Sequence, residues 1–272
     1  MPNALARIAA GGSPAVPDVI ARLSHYALDC RLVVVVHGTM CYPSAMDRSM
    51  QTSNKPRAVG RFILLSCVSV LGAIAFLPSI LASTQPPPPL AQLSVFVLVV
   101  SAVCIASAWF GLRCADAVHL PMPFLRRLDM QSETSRGNGV VPAIVCGGIF
   151  AAGAIYFLHY FHQPNLAGSL ASRIASVLFA AGDLEIVIHL FIMSLAVWLT
   201  RGKVWVGILV ATAFFIAFHT AGALGQSAPL IAGSILLNGG FGLLLGIFYA
   251  RYGLEYVMLS HAVGHVLAVT LA

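Results

Sequence analysis

Seven stretches of this chain each run for about 20 nearly uninterrupted apolar residues, the length an α-helix needs to cross the hydrocarbon of a bilayer. They fall at approximately 61–83, 91–111, 140–161, 172–199, 204–225, 229–250 and 254–272. The expected fold class is therefore all-α, a polytopic transmembrane helix bundle of about seven spans. Composition points the same way: 59% of the 272 residues are hydrophobic and 9% are charged, against about 25% charged in an ordinary soluble domain.

Residues 1–60 differ from the rest. They mix polar and apolar residues with scattered Pro and Gly, and their one apolar run, Leu32 to Val36, is too short to span a bilayer. A signal peptide would need a basic start followed directly by an apolar core, which this segment lacks. The expectation is a poorly ordered or partly structured cytoplasmic extension at 1–60, followed by a transmembrane helical domain at 61–272. A small interfacial segment, or a true start at Met46 or Met50, are the other readings of 1–60. Pro86 to Pro89 make a short stiff loop between the first two spans, and 112–139 is the long polar loop.

Orientation follows from the basic residues, which favour the cytoplasmic side. With the N-terminus inside, Arg48, Lys55, Arg57, Arg61, Arg113, Arg126, Arg127, Arg136, Arg201, Lys203 and Arg251 all lie inside, and Arg173 alone falls outside. The same thin spread explains the net charge of +6 as a topology signal, so no nucleic acid partner is expected. The six cysteines, at 30, 41, 67, 104, 114 and 146, form no Cys-x-x-Cys pair and suggest neither a disulfide framework nor a thiolate metal site.

Ionisable groups inside membrane spans are costly and mark function by default. Here they concentrate in the later spans: Asp183, Glu185 and His189 in AGDLEIVIHLF, His219 in FFIAFHTAG, and His261 and His265 in LSHAVGHVLAV. Glu185 and His189 are four apart, as are His261 and His265, so each pair projects from one helical face. Counted from the nearest cytoplasmic basic residue at 1.5 Å per residue, Glu185 lies about 24 Å deep, His189 ~18 Å, His219 ~24 Å, His261 ~15 Å and His265 ~21 Å. The five share one slab of the membrane and can form one site.

Neutral imidazoles with a carboxylate are a usual ligand set for Zn²⁺, whose open coordination position activates water. Without metal, the carboxylate and a histidine could activate water by general base catalysis, with the other histidines donating to an oxyanion. Both mechanisms stay open at this point. Asp183, two positions from Glu185, points to another face and is expected to be structural or interfacial. His159 and His162 at the outer end of the third span, and His119 in the long loop, read as surface residues. Gly242 and Gly246 allow close helix packing, and Asn238 is expected to serve packing too.

These residues carry a resemblance. The region from about 170 to 272 resembles the CPBP intramembrane metalloproteases, the CAAX-processing and bacteriocin-processing or Abi family. That family has Glu-Glu-x-x-x-Arg, Phe-x-x-x-His and His-x-x-x-Asn/Asp on successive membrane helices. The second motif is intact as Phe215 to His219. The third falls in GLLLGIFYARYGLEYVMLSHAVGHVL, where His261 matches the motif histidine and His265 stands at the Asn/Asp position. In the first, Leu184 stands at the first glutamate, Glu185 at the second and His189 at the arginine.

The resemblance implies an intramembrane endopeptidase in a bacterial plasma membrane, cleaving hydrophobic peptides or membrane proteins within membrane lipid. Its catalytic residues would be Glu185, His219, His261 and His265, and Zn²⁺ would be held among Glu185, His189, His219, His261 and His265. Two other classes are kept: a non-proteolytic relative acting as scaffold or immunity factor, since the first glutamate is replaced by Leu184, and a proton- or ion-coupled transporter. Bis-histidine haem binding fits poorly, because His261 and His265 face the same point of one helix.

Overall fold

The computed structural model describes residues 59–83, 87–128, 139–160, 169–221 and 225–271. The extension expected at 1–60 lies outside them, except that Val59 and Gly60 open the first helix. In chain order the helices are α1 (Val59–Ser83), α2 (Leu90–Ala117), α3 (Pro123–Leu128), α4 (Val140–Tyr160), α5 (Leu170–Phe179), π1 (Ala180–Leu184), π2 (Ile186–Met193), α6 (Ser194–Leu199), α7 (Val204–Thr220), α8 (Ala228–Arg251) and α9 (Leu254–Leu271). No strand occurs among the described residues. The chain is an integral, multi-pass helical membrane protein.

Among the described residues, six helical segments are long and apolar enough to cross a membrane, α5 to α6 counting as one continuous span. The fifth expected span, 204–225, is shorter than anticipated: α7 has 17 residues and stops at Thr220, which at 1.5 Å per residue is about 26 Å, against a hydrocarbon thickness of about 30 Å. Gly225, at φ +89°, stands in the turn that leads to α8. Large apolar side chains face outward around the bundle, Leu71 at 66%, Leu98 at 69% and Leu236 at 76% exposure. Such a surface is costly in water and at home against acyl chains.

Two ends differ from the sequence reading because polar groups there find partners. The second span was expected to stop at 111, yet α2 continues to Ala117. Its last turns are stabilised where Asp116 accepts two hydrogen bonds from the Arg61 guanidinium, both at 3.0 Å, with Arg126 3.6 Å away. The polar loop that follows contains α3, which begins at Pro123. Pro suits the first helical position because it has no N–H to leave unpaired, and the Leu125 N–H is taken up by Glu255 Oε1 at 2.7 Å. Gly253, at φ +113°, lets α9 start against this helix: a Cβ there would lie 2.6 Å from Pro123 Cδ.

Lipid gives helices no hydrophobic reason to associate, so close backbone approach through small residues must supply packing. α9 crosses α4 where a Cβ on Gly147 would lie 2.5 Å from the Ser260 carbonyl oxygen, and one on Gly264 2.7 Å from Phe150 Cδ1. α8 meets α7 where Gly242 faces Phe215 and Gly246 faces Ile208, the close packing expected of that glycine pair. The fourth span is the centre of the bundle: 65% of its apolar window is buried, against 28–44% for the other five. It touches α1 and α2 on one side and α7, α8 and α9 on the other.

Candidate functional site

The fourth span is not a plain α-helix. From Ala180 to Met193 its backbone is π-helical except at Glu185, which joins the two π segments. π turns are rare and gather at functional sites. The wider turn sends Asp183 toward α1, where a Cβ on Gly72 would meet its carboxylate at 2.8 Å, while Glu185 and His189 face inward at 0% exposure.

Glu185 takes both of its hydrogen bonds from imidazoles. Its Oε2 pairs with Nδ1 of His189, four residues on, and its Oε1 with Nδ1 of His261 on α9, at 2.5 Å. A carboxylate only accepts, so both rings carry their proton on Nδ1. That fixes both tautomers and leaves Nε2 of each ring as a lone pair. The His189 Nε2 is buried with no hydrogen-bond partner, and the ring has Tyr249 and Phe215 as aromatic neighbours.

The His261 Nε2 lies 2.9 Å from Nε2 of His265. Two lone pairs cannot approach that closely unless a proton or a cation sits between them. His219 completes the group from α7: its Nδ1–H donates to the Phe215 carbonyl at 2.9 Å, again leaving Nε2 free. One ring nitrogen from each of His219, His261 and His265 lies within 4.8 Å of the others. Nitrogens bound tetrahedrally to zinc at about 2.0–2.1 Å are about 3.3 Å apart, so modest side-chain movement would let the three hold one ion. His261 is fully buried, whereas His219 and His265 are half-buried.

Aromatic rings wall the cluster. Phe215 stacks on His219 with centroids 4.0 Å apart, Phe241 meets His261 edge-on at 5.7 Å, and Phe150 lies 5.6 Å from His265 while stacking on Phe241 at 3.8 Å. The intact Phe-x-x-x-His spacing thus has a local meaning: Phe215 supplies both a carbonyl that orients His219 and a ring that packs on it.

All five residues singled out in the sequence meet in one cluster. Three imidazoles face a common point, and Glu185 and His189 stand behind them, outside that group. Asn238 donates to the Ser234 carbonyl at 2.9 Å and to Ser234 Oγ at 3.2 Å, within its own helix. His159 and His119 are exposed, and His162 lies outside the described residues. Sequence reasoning passed over the pair formed by Ser194 Oγ and Tyr249 Oη, 3.0 Å apart beneath His189, and over Ser260, whose Oγ is buried without a hydrogen-bond partner beside His261. Polar residues next to the histidines were the available signal.

No family model matches the chain, and no curated protein or solved structure is similar to it.

Proposed function

We propose that this chain is an intramembrane peptidase that hydrolyses membrane-embedded or membrane-adjacent peptides with the aid of a cation, zinc in the first place, held by His219, His261 and His265. The observation that carries the reading is the approach of three ring nitrogens from two helices, with two of the rings oriented through Nδ1 by a carboxylate and a carbonyl. Metal-bound histidines almost always have their second nitrogen so engaged. The chemistry such an ion supplies when bound is Lewis acidity and acidification of a water ligand.

The roles of the chain's own residues follow. Glu185 holds the His261 and His189 rings in place by accepting a hydrogen bond from each Nδ1–H, which leaves the His261 Nε2 turned toward the other imidazoles. Phe150, Phe215 and Phe241 exclude bulk water. The half-buried His219 and His265 are the members a substrate could reach. The resemblance to CPBP proteases suggested Glu185 as the base or a ligand; with both oxygens engaged, orienting imidazoles is the better-supported role. A metal-free variant of the reading uses the same pair, Glu185 positioning His261 as a general base.

The test is cleavage of a hydrophobic reporter peptide by the purified full chain in proteoliposomes. Cleavage is expected from the wild type, abolished in His219→Ala and His261→Ala, and lost in chelator and restored by Zn²⁺. Cleavage that persists in chelator moves the mechanism to the Glu185–His261 pair. Cleavage undiminished in both variants overturns the assignment.

A second reading rests on a specific observation: His189, Glu185, His261 and His265 form a continuous chain of hydrogen bonds across two helices, a form suited to relaying protons. Proton-coupled flux in liposomes without proteolysis would favour it. In either reading, the basic residues favour a cytoplasmic setting for the 201–203 and 251–253 turns, and a bacterial plasma membrane is the setting the family resemblance suggests.

A further inference from the structure

The fourth span carries a second carboxylate, Asp183, on the side away from the histidines. It is 1% exposed, and neither oxygen has a hydrogen-bond partner. It lies directly on α1: a Cβ on Gly72 would be 2.8 Å from Oδ2 and 3.1 Å from Oδ1, so only glycine leaves the carboxylate its place. Ser69, fully buried on α1, stands beside it, yet its hydroxyl proton goes to the Leu65 carbonyl at 2.9 Å. Ser69 therefore offers Asp183 lone pairs. Cys104 of α2 is near enough to feel the charge, and one turn before it Ser101 buries an Oγ that also lacks a partner.

The polar groups named around it are neutral hydroxyls and a thiol, none hydrogen-bonded to the carboxylate, so its charge is left uncompensated. A bare carboxylate in such a medium is strongly unfavourable, and a bound cation removes the penalty. All-oxygen donors suit a hard ion rather than a zinc-like one. One negative charge is balanced by one positive charge, whereas a divalent ion would leave net charge buried among apolar helices. We propose that Asp183 and Ser69, at the Gly72 gap, bind a monovalent alkali cation, sodium in the first instance, between α1 and the π-helical turn of the fourth span. The ion ties α1 to the segment that ends one residue before Glu185. This site is separate from the histidine cluster and does not depend on the peptidase reading.

Thermal unfolding of the full chain in detergent, in NaCl against choline chloride at equal ionic strength, tests this together with ²²Na⁺ binding. Wild type is expected to show a saturable rise in Tm with Na⁺ and saturable ²²Na⁺ uptake. Both should be absent in Asp183→Asn, weakened in Ser69→Ala and Gly72→Ala, and kept in Glu185→Gln. Should Asp183→Asn fail to fold, wild type with the Ser69 and Gly72 variants decides. Equal Tm in the two salts with no saturable ²²Na⁺ binding by wild type overturns the proposal and assigns Asp183 a proton instead. Loss of the response in Glu185→Gln with its retention in Asp183→Asn overturns it too.

Discussion

His261 and Glu185, 76 residues apart in sequence, meet at 2.5 Å through Nδ1 and Oε1, and this contact joins α9 to the centre of the fourth span. It also decides which nitrogen of His261 faces the other imidazoles. A buried carboxylate that could have been a reacting group is thereby committed to orientation, and most expectations for variants follow from that division.

Metal content should follow the three converging rings. Detergent-purified wild type is expected to hold roughly one Zn²⁺ per chain, as a three-histidine site would, and His219→Ala or His261→Ala should lose it. His189→Asn should retain it, since His189 is not one of the three rings whose nitrogens converge. Elemental analysis of the four proteins checks this; metal retained in all of them would remove the three histidines from consideration as ligands.

Glu185→Gln should weaken metal binding by about 10–100-fold, the usual cost of removing an orienting partner behind a ligand. The amide can accept from only one of the two Nδ1–H groups. Competition with a chromogenic chelator measures the change, and affinity equal to wild type would mean that Glu185 does not orient His261.

Gly147→Leu should destabilise the bundle by about 1–3 kcal/mol, the ordinary range for overpacking. Its Cβ would stand 2.5 Å from the Ser260 carbonyl oxygen and 3.0 Å from the Gly264 nitrogen, backbone atoms that cannot swing aside. Because α9 would be pushed from α4, metal binding should fall with stability. Reversible unfolding in mixed micelles checks the first, and metal titration the second.

At the end of the bundle where α1 begins, Asp116→Ala should cost more stability than Arg61→Met. Removing Asp116 takes the bidentate carboxylate from a guanidinium that is 3% exposed, whereas Asp116 is 40% exposed and keeps Arg126 at 3.6 Å when Arg61 is lost. Losing both hydrogen bonds to a buried guanidinium is the costlier of the two changes. Unfolding of both variants under the same conditions orders them, and the reverse order would refute the argument.

In a cysteine-free background, cysteines introduced at Gln226 and at Gly202 should respond oppositely to a membrane-impermeant maleimide added outside cells. Gln226 is expected to label and Gly202 to be protected, given the basic residues beside the 201–203 turn. Labelling of Gly202 from outside would invert the topology.

Much of this architecture is legible in sequence because lipid imposes a simple rule: long apolar runs must be helical, and polar residues within them stand out. Glu185, His189, His219, His261 and His265 were visible for that reason, and the spacing of four within each pair correctly put its members on one face. The spacing could not tell which of the five face one another. That Glu185 accepts from both His189 and His261 depends on how α9 lies against the fourth span, and this is set partly by Gly147 and Gly264, single glycines with no repeating pattern. The π-helical backbone was invisible as well: the residues from Ile186 to Met193 are apolar almost all round, so no periodicity distinguishes an i→i+5 ladder from an i→i+4 one. The short helix at Pro123–Leu128 was hidden because its stabilising partner, Glu255, is 130 residues from Leu125.

The π-helical stretch also bears on bilayer thickness. The span from Arg173 to Leu199 has 27 residues and as an α-helix would run about 40 Å, well beyond a hydrocarbon core of about 30 Å. A π turn takes more residues for each unit of rise, so part of the excess is coiled rather than tilted or pushed into the headgroups. Over its π-helical turns the fourth span thereby holds more side chains for a given depth than an α-helix would, and a bilayer of altered thickness would act on the turns around Asp183 and Glu185.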